Sequence, residues 1–174
     1  MMPANRTIAP ARGFTLLELA VVIAVITVLA AVLLSRLVGI QGDARIAKAR
    51  MIHGSLHSAA LLAHWRCELD LAAGAPALSA ANCRANPPRV DMGGRAVEIV
   101  NRYPAATVDG ILAAANIDPA AANVLTGGAG CPPGALCLDI VGGTAPNCRV
   151  TYRPAAHGAP APAAPLISVE TSGC

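Results

Sequence analysis

The chain has 174 residues, 55% of them hydrophobic, but only one Phe, one Trp and two Tyr, so its apolar content is mostly Ala and aliphatic. The net charge is +3, and no basic stripe interleaved with aromatics appears, which argues against nucleic-acid binding as the main task. This composition suits a membrane-tethered exported protein with one small head domain of marginal burial energy better than a cytosolic enzyme.

Residues 1–13 read as a short leader with Arg6 and Arg12 that ends in Gly13 and lacks the apolar core of a secretory signal. The hexapeptide Gly13-Phe14-Thr15-Leu16-Leu17-Glu18 then opens an apolar run in which Glu18 is the only charge before Arg36. Phe14 to Ser35 is 22 residues. As a helix it spans about 33 Å, enough to cross a bilayer's hydrocarbon. An ionised side chain in such a helix costs about 2.5–3.5 kcal/mol, so Glu18 is a functional candidate that needs a partner. Arg36, Arg45, Lys48 and Arg50 outnumber the leader's arginines, so loop charge alone leaves the orientation open.

These residues resemble the class III signal of type IV pilins and type II secretion pseudopilins. The resemblance implies that prepilin peptidase cuts after Gly13. Phe14 then becomes an N-methylated amino terminus at the cytoplasmic face, with the head outside, and loss of the two leader arginines lowers the charge from +3 to +1. It also implies that Glu18 is neutralised during assembly by the α-ammonium of a neighbouring subunit. The implied fold is α+β: a long N-terminal helix packed on a small antiparallel β-sheet head with disulfides. Its divisions are the leader 1–13, a transmembrane and filament-core helix 14–35, an amphipathic continuation 36–70, and a β-rich head 71–174. Many relatives carry Gly and Pro in the anchor where this chain has Thr27 and Ser35. Hydroxyls bond back to the preceding turn and bend a helix only weakly, which puts local melting on assembly in doubt.

After Arg36, Leu37, Ile40, Ala44, Ala47, Met51, Ser55 and Leu62 recur at helical spacing and predict a stripe that packs on a sheet. The helix is expected to end near Leu69 or Asp70, before Ala73-Gly74-Ala75-Pro76. His53, His57 and His64 are expected opposite the packed stripe, on an exposed or subunit-facing side. His53 and His57 have chelate spacing, but His64 lies about 10 Å further along the axis, so polar surface is the preferred reading. A pH-sensitive packing contact is the functional alternative. Strands are expected at Val90–Met92, Ala96–Val100, Leu136–Val141, Arg149–Tyr152 and Leu166–Val169, with Gly93-Gly94 as a hairpin turn and Val108–Ile117 as a short helix. One antiparallel sheet on the long helix is the economical arrangement.

The head narrows the resemblance. Val90-Asp91-Met92-Gly93-Gly94, Val97-Glu98-Ile99, Tyr103-Pro104 and Gly110-Ile111 look like the head of mannose-sensitive haemagglutinin pilins. Cys148-Arg149-Val150-Thr151-Tyr152 and Thr171-Ser172-Gly173-Cys174 are similar to their disulfide-closed end. Six cysteines after an export signal imply an oxidising compartment and allow many pairings among which sequence alone does not choose. With the resemblance, Cys148 is expected to pair with Cys174, Cys67 with Cys83, and Cys131 with Cys137. The Cys148–Cys174 loop is worth roughly 3–4 kcal/mol in the loop-entropy model.

No enzyme signature is present. Thr126-Gly127-Gly128-Ala129-Gly130 lacks the Lys-Ser/Thr of a phosphate loop, the carboxylates are scattered, and no metal or cofactor is expected. Pro154–Pro165 reads as an extended surface loop. The reading is therefore a structural subunit of a homo-oligomeric or mixed type IV pilus. It sits in the inner membrane before the assembly machinery moves it to an extracellular filament. A type II secretion pseudopilin is the first alternative, although a terminus with Glu170 and two cysteines departs from the calcium-binding carboxylate cluster usual there. A solitary signal-anchored periplasmic binding protein or enzyme is the second.

Overall fold

The computed structural model describes residues 13–72, 81–154 and 164–174. The leader before Gly13, the stop signals Ala73–Pro76 and most of the Pro154–Pro165 run lie outside the described residues. The chain divides into two compact units, Met1–Ile40 and Gln41–Cys174.

Helix α1 runs Leu16–Leu71. In the first unit its segment Leu16–Leu34 is long and apolar enough to cross a membrane, and none of it is buried. Thr27 Oγ1 donates to the Ala24 carbonyl at 2.8 Å, and the helix continues through that turn. A hydroxyl that bonds back deletes no backbone donor, so it does not break the helix as proline does.

In the second unit, Ala49, Ile52, Leu56, Ala59, Ala60, Ala63 and Cys67 form the buried face of α1. This corrects the predicted stripe. Met51 and Leu62 are 66% and 62% exposed, and Ile40, Ala44 and Ala47 are also exposed. The helix is apolar on two faces, so periodicity alone finds either one. The Ala-rich face is the one that lets sheets approach closely. The histidine expectation moves with it: His57 is exposed, but His53 and His64 flank the packed face. His53 Nε2 lies 3.4 Å from the Ile167 carbonyl and His64 Nδ1 3.2 Å from that of Arg102, with the His64 ring stacked on Tyr103 at 4.3 Å. A carbonyl needs an N–H, which a neutral ring of the right tautomer and a protonated ring both supply.

Among the described residues two antiparallel sheets, rather than one, lie on this helix. The first has the order β1 (Arg89–Met92), β2 (Arg95–Val100), β3 (Tyr103–Pro104). The second runs β4 (Val124–Thr126), β5 (Leu136–Ile140), β6 (Arg149–Arg153), β7 (Leu166–Glu170). Met92 pairs with Arg95 across Gly93 and Gly94, whose φ values of +66° and +85° make the primed turn expected of a two-residue hairpin. The β2–β3 turn uses Asn101 and Arg102, also at positive φ. Arg102 is unusual there and is held by Glu68 at 2.9 Å and by His64 at its carbonyl. Within the predicted helix, Val108–Leu112 forms a π-helical turn. Gly110 packs so tightly on the Ala105 backbone that a Cβ would overlap its carbonyl.

Each sheet takes its own stretch of α1. Ala49 to Ala60 pack with Ile111, Leu112, Val124, Leu138, Ile140, Val150 and Tyr152, whereas Ala63 and Cys67 pack with Val90, Val97 and Ile99. The Tyr152 hydroxyl donates to the Pro104 carbonyl at 2.7 Å and so joins β6 to β3. Disulfides link Cys67–Cys83, Cys131–Cys137 and Cys148–Cys174, with Cα separations of 5.3, 5.9 and 4.8 Å.

On the other side of β5 and β6, Asp139 and Arg149 face each other and form a buried two-pronged ion pair, with Nη2 to Oδ2 at 2.9 Å. Arg149 Nη2 also donates to the Ala129 carbonyl at 3.0 Å. The glycine-rich 127–130 loop thus closes over the pair, and at Gly128, with φ +107°, a Cβ would lie 2.5 Å from Asp139 Oδ2. The hydrogen bond and charge of Asp139 raise the Arg149 pKa against a smaller opposing effect of burial, so the guanidinium stays charged.

Two outcomes follow from these buried polar groups. Asp139→Ala strands the Arg149 charge and should cost about 3–5 kcal/mol, read as a lowered denaturant midpoint of the detergent-solubilised chain. Burial raises the Tyr152 pKa. The unfolded phenol ionises near pH 10, so this contribution is intact below that pH and is lost as pH climbs toward the higher folded value. Tyr152→Phe should cost about 1–2 kcal/mol at neutral pH. It should also flatten the loss of stability above pH 10, as measured by unfolding across that range.

Candidate assembly site at the start of the long helix

Gly13, Phe14 and Thr15 precede α1 in non-helical backbone, and Leu16 is the first helical residue. The Glu18 amide donates to Thr15 Oγ1 at 3.2 Å, while the Leu19 amide reaches the Thr15 carbonyl at 3.1 Å. Thr15 is therefore the N-cap, with its hydroxyl satisfying one of the amides that has no partner within the helix. Glu18 stands at the third helical position. A Thr-x-x-Glu sequence with this geometry supplies the residue types of a capping box. The positive end of the helix dipole also favours a carboxylate in this first turn.

Sequence reasoning singled out Glu18 as a charge out of place and missed the cap, although the Thr15-to-Glu18 spacing carried the signal. The cap explains how a helix can begin here, but every side chain from Gly13 to Leu34 is exposed. Among the described residues, nothing covers the apolar surface around the acid. Gly13, Phe14 and Glu18 lie close in sequence at this end, whereas all six cysteines lie in the Gln41–Cys174 unit.

Among the described residues, no group of three or more His, Cys, Asp or Glu side chains comes together. Glu170 near the carboxyl end accepts the amides of Thr171 and Ser172 at 3.1 and 3.0 Å. Hydrogen bonds from Ser172, with a smaller contribution from the Thr171 amide, hold its pKa below the ordinary carboxylate value. Its carboxylate thus serves the local turn.

The prokaryotic N-terminal methylation motif matches residues 9–34, which include the whole Leu16–Leu34 span. That match supports a type IV pilin-like or pseudopilin-like precursor. Such a motif implies processing by prepilin peptidase and membrane anchoring before assembly, and it points to a structural protein. The fold agrees with it, being α+β with a long N-terminal helix packed on antiparallel sheets and three disulfides. No curated protein and no solved structure matches the chain.

Replacing Thr15 by Val keeps the shape and removes the cap. The first turn should then weaken by about 1 kcal/mol, whereas Thr15→Ser should retain it. Hydrogen exchange at the Glu18 amide should accelerate about fivefold in the Val variant alone.

Proposed function

We propose that this chain is a structural subunit of a type IV pilus. Prepilin peptidase cuts after Gly13, and Phe14 is then N-methylated. The new α-ammonium of one copy neutralises Glu18 of its neighbour as the apolar helices leave the bilayer and pack together. The observation that carries this reading is the placement of Glu18 in the first turn of a fully exposed apolar helix inside a methylation motif. A carboxylate there is costly in a helix bundle unless a cation accompanies it, and the proposed cut creates a cation only four residues upstream.

The head supports a pilus over a secretion pseudopilus. Its carboxyl end is closed by Cys148–Cys174, and Glu170 is engaged in a turn. The head motifs from Val90 to Ile111 and from Cys148 to Cys174 suggest a subunit like the mannose-sensitive haemagglutinin pilins. Heads carried on the outside of such a filament would make its surface contacts, and adhesion is the role we assign to them.

Glu18→Ala tests the division of labour. Cleavage after Gly13 should proceed at close to the parent rate. Yield of sheared extracellular fibre should fall about tenfold or more, the scale of losing one charge-assisted contact per subunit. Cleavage and assembly failing together would contradict it, as would normal fibre yield. Cleaved protein retained in the envelope of parent cells would favour the pseudopilin.

A further inference from the structure

Among the described residues, nothing in the head unit covers a second apolar face of α1. Ala47, Met51, Ser58, Leu62, Trp65 and Leu69 are all exposed, and their spacing keeps them on one side of the helix, away from the sheets. Trp65 is the only Trp in the chain and is 63% exposed; Leu69 is 58% exposed. With Met51 and Leu62 these residues leave on the order of 500–600 Å² of apolar surface open, approaching the roughly 800 Å² per partner of a stable interface.

Beside this ridge runs a groove of about 540 Å³ between α1 and the 116–123 segment, lined by Met51, Ile52, Ser55, Ile117, Asp118 and Ala122 among others. A ridge next to a groove on one surface is self-complementary, which a two-fold interface requires. The ridge belongs to the Gln41–Cys174 unit, lies outside Leu16–Leu34, and has the sheets on its other side. We infer that this face docks a second copy of the chain, side by side in a parallel two-fold pair, while both copies are still anchored in the membrane.

Anchors in one bilayer hold two copies parallel. In a parallel two-fold pair, the flank of one helix that carries Arg50 comes to the same side as the groove flank of the other. Arg50 and Asp118 are both exposed and opposite in charge, so the symmetry can use that pair twice. The inference rests on the membrane anchoring within the proposed function, not on whether the product is a filament.

The test uses the uncleaved full chain made in cells without prepilin peptidase and purified in detergent, with its mass followed by sedimentation over a range of concentrations. The expected result is a dimer whose formation shifts Trp65 emission to the blue. Met51→Glu and Leu62→Glu should each weaken it at least about tenfold, the scale of burying an unpaired charge, with unfolding temperature unchanged because both positions are exposed. Arg50→Glu should weaken it, and adding Asp118→Arg should restore it. A chain that is monomeric at all concentrations would overturn the inference. So would association only with a different protein, or a dimer indifferent to every head variant, which would place the contact in the anchors. Failure of the filament reading is separate: it would appear as absent fibre from the parent while the dimer stands.

Discussion

A carboxylate at the start of an otherwise uncharged, fully exposed apolar helix is the constraint on which this molecule turns. Every side chain of Leu16–Leu34 is exposed, so its free energy is settled by what surrounds it. Lipid satisfies the aliphatic side chains, and so does a bundle of like helices once lipid is gone. Neither satisfies an ionised Glu18 by itself. The helix dipole eases the charge locally, but it does not remove the desolvation of a carboxylate in a bundle. A cation must arrive with it, and the proposed cut at Gly13 is the economical source.

The head solves a different problem with few aromatic side chains. It lays two small sheets on an Ala-rich helix face, so that backbones come close and Leu56, Ile111, Leu112, Leu138 and Tyr152 fill the remaining space. Three disulfides and the buried Asp139–Arg149 pair supplement this modest core. A buried ion pair is weak evidence of net stability, because desolvation offsets much of its attraction. Here its bonds are directional: both prongs to Asp139 hold strand to strand, and a further bond from Nη2 fastens the 127–130 loop. Arg45 and Lys48 act similarly, reaching the Cys174 and Asn123 carbonyls at 3.0 and 3.2 Å and pinning α1 to the head.

Much of this was legible in the sequence, and the errors have one physical origin. The anchor, five of the seven strands among the described residues and the Gly93-Gly94 turn all followed from period and turn chemistry. β3 and β4 are two and three residues long, too short to show an alternating pattern. The packed face of α1 was misassigned because the helix is apolar on both sides, and large residues such as Met51 and Leu62 outweigh alanine in any pattern count. What decides the matter is distance of approach, which favours Ala49, Ala59, Ala60 and Ala63 and which sequence does not display. The histidines followed the same error, since His53 and His64 were placed by reference to the wrong stripe. At the amino end, Glu18 was conspicuous by charge, while the Thr15 cap, although signalled by the Thr-x-x-Glu spacing, was recognised only from the hydrogen bond to the Glu18 amide.

The most direct test of the account is the chemical identity of the first residue in fibres sheared from cells, determined by mass spectrometry of the amino-terminal peptide. The account predicts a chain beginning at N-methylated Phe14, with the leader absent from the extracellular material. A chain that retains Gly13, or that starts at any other residue, would contradict it.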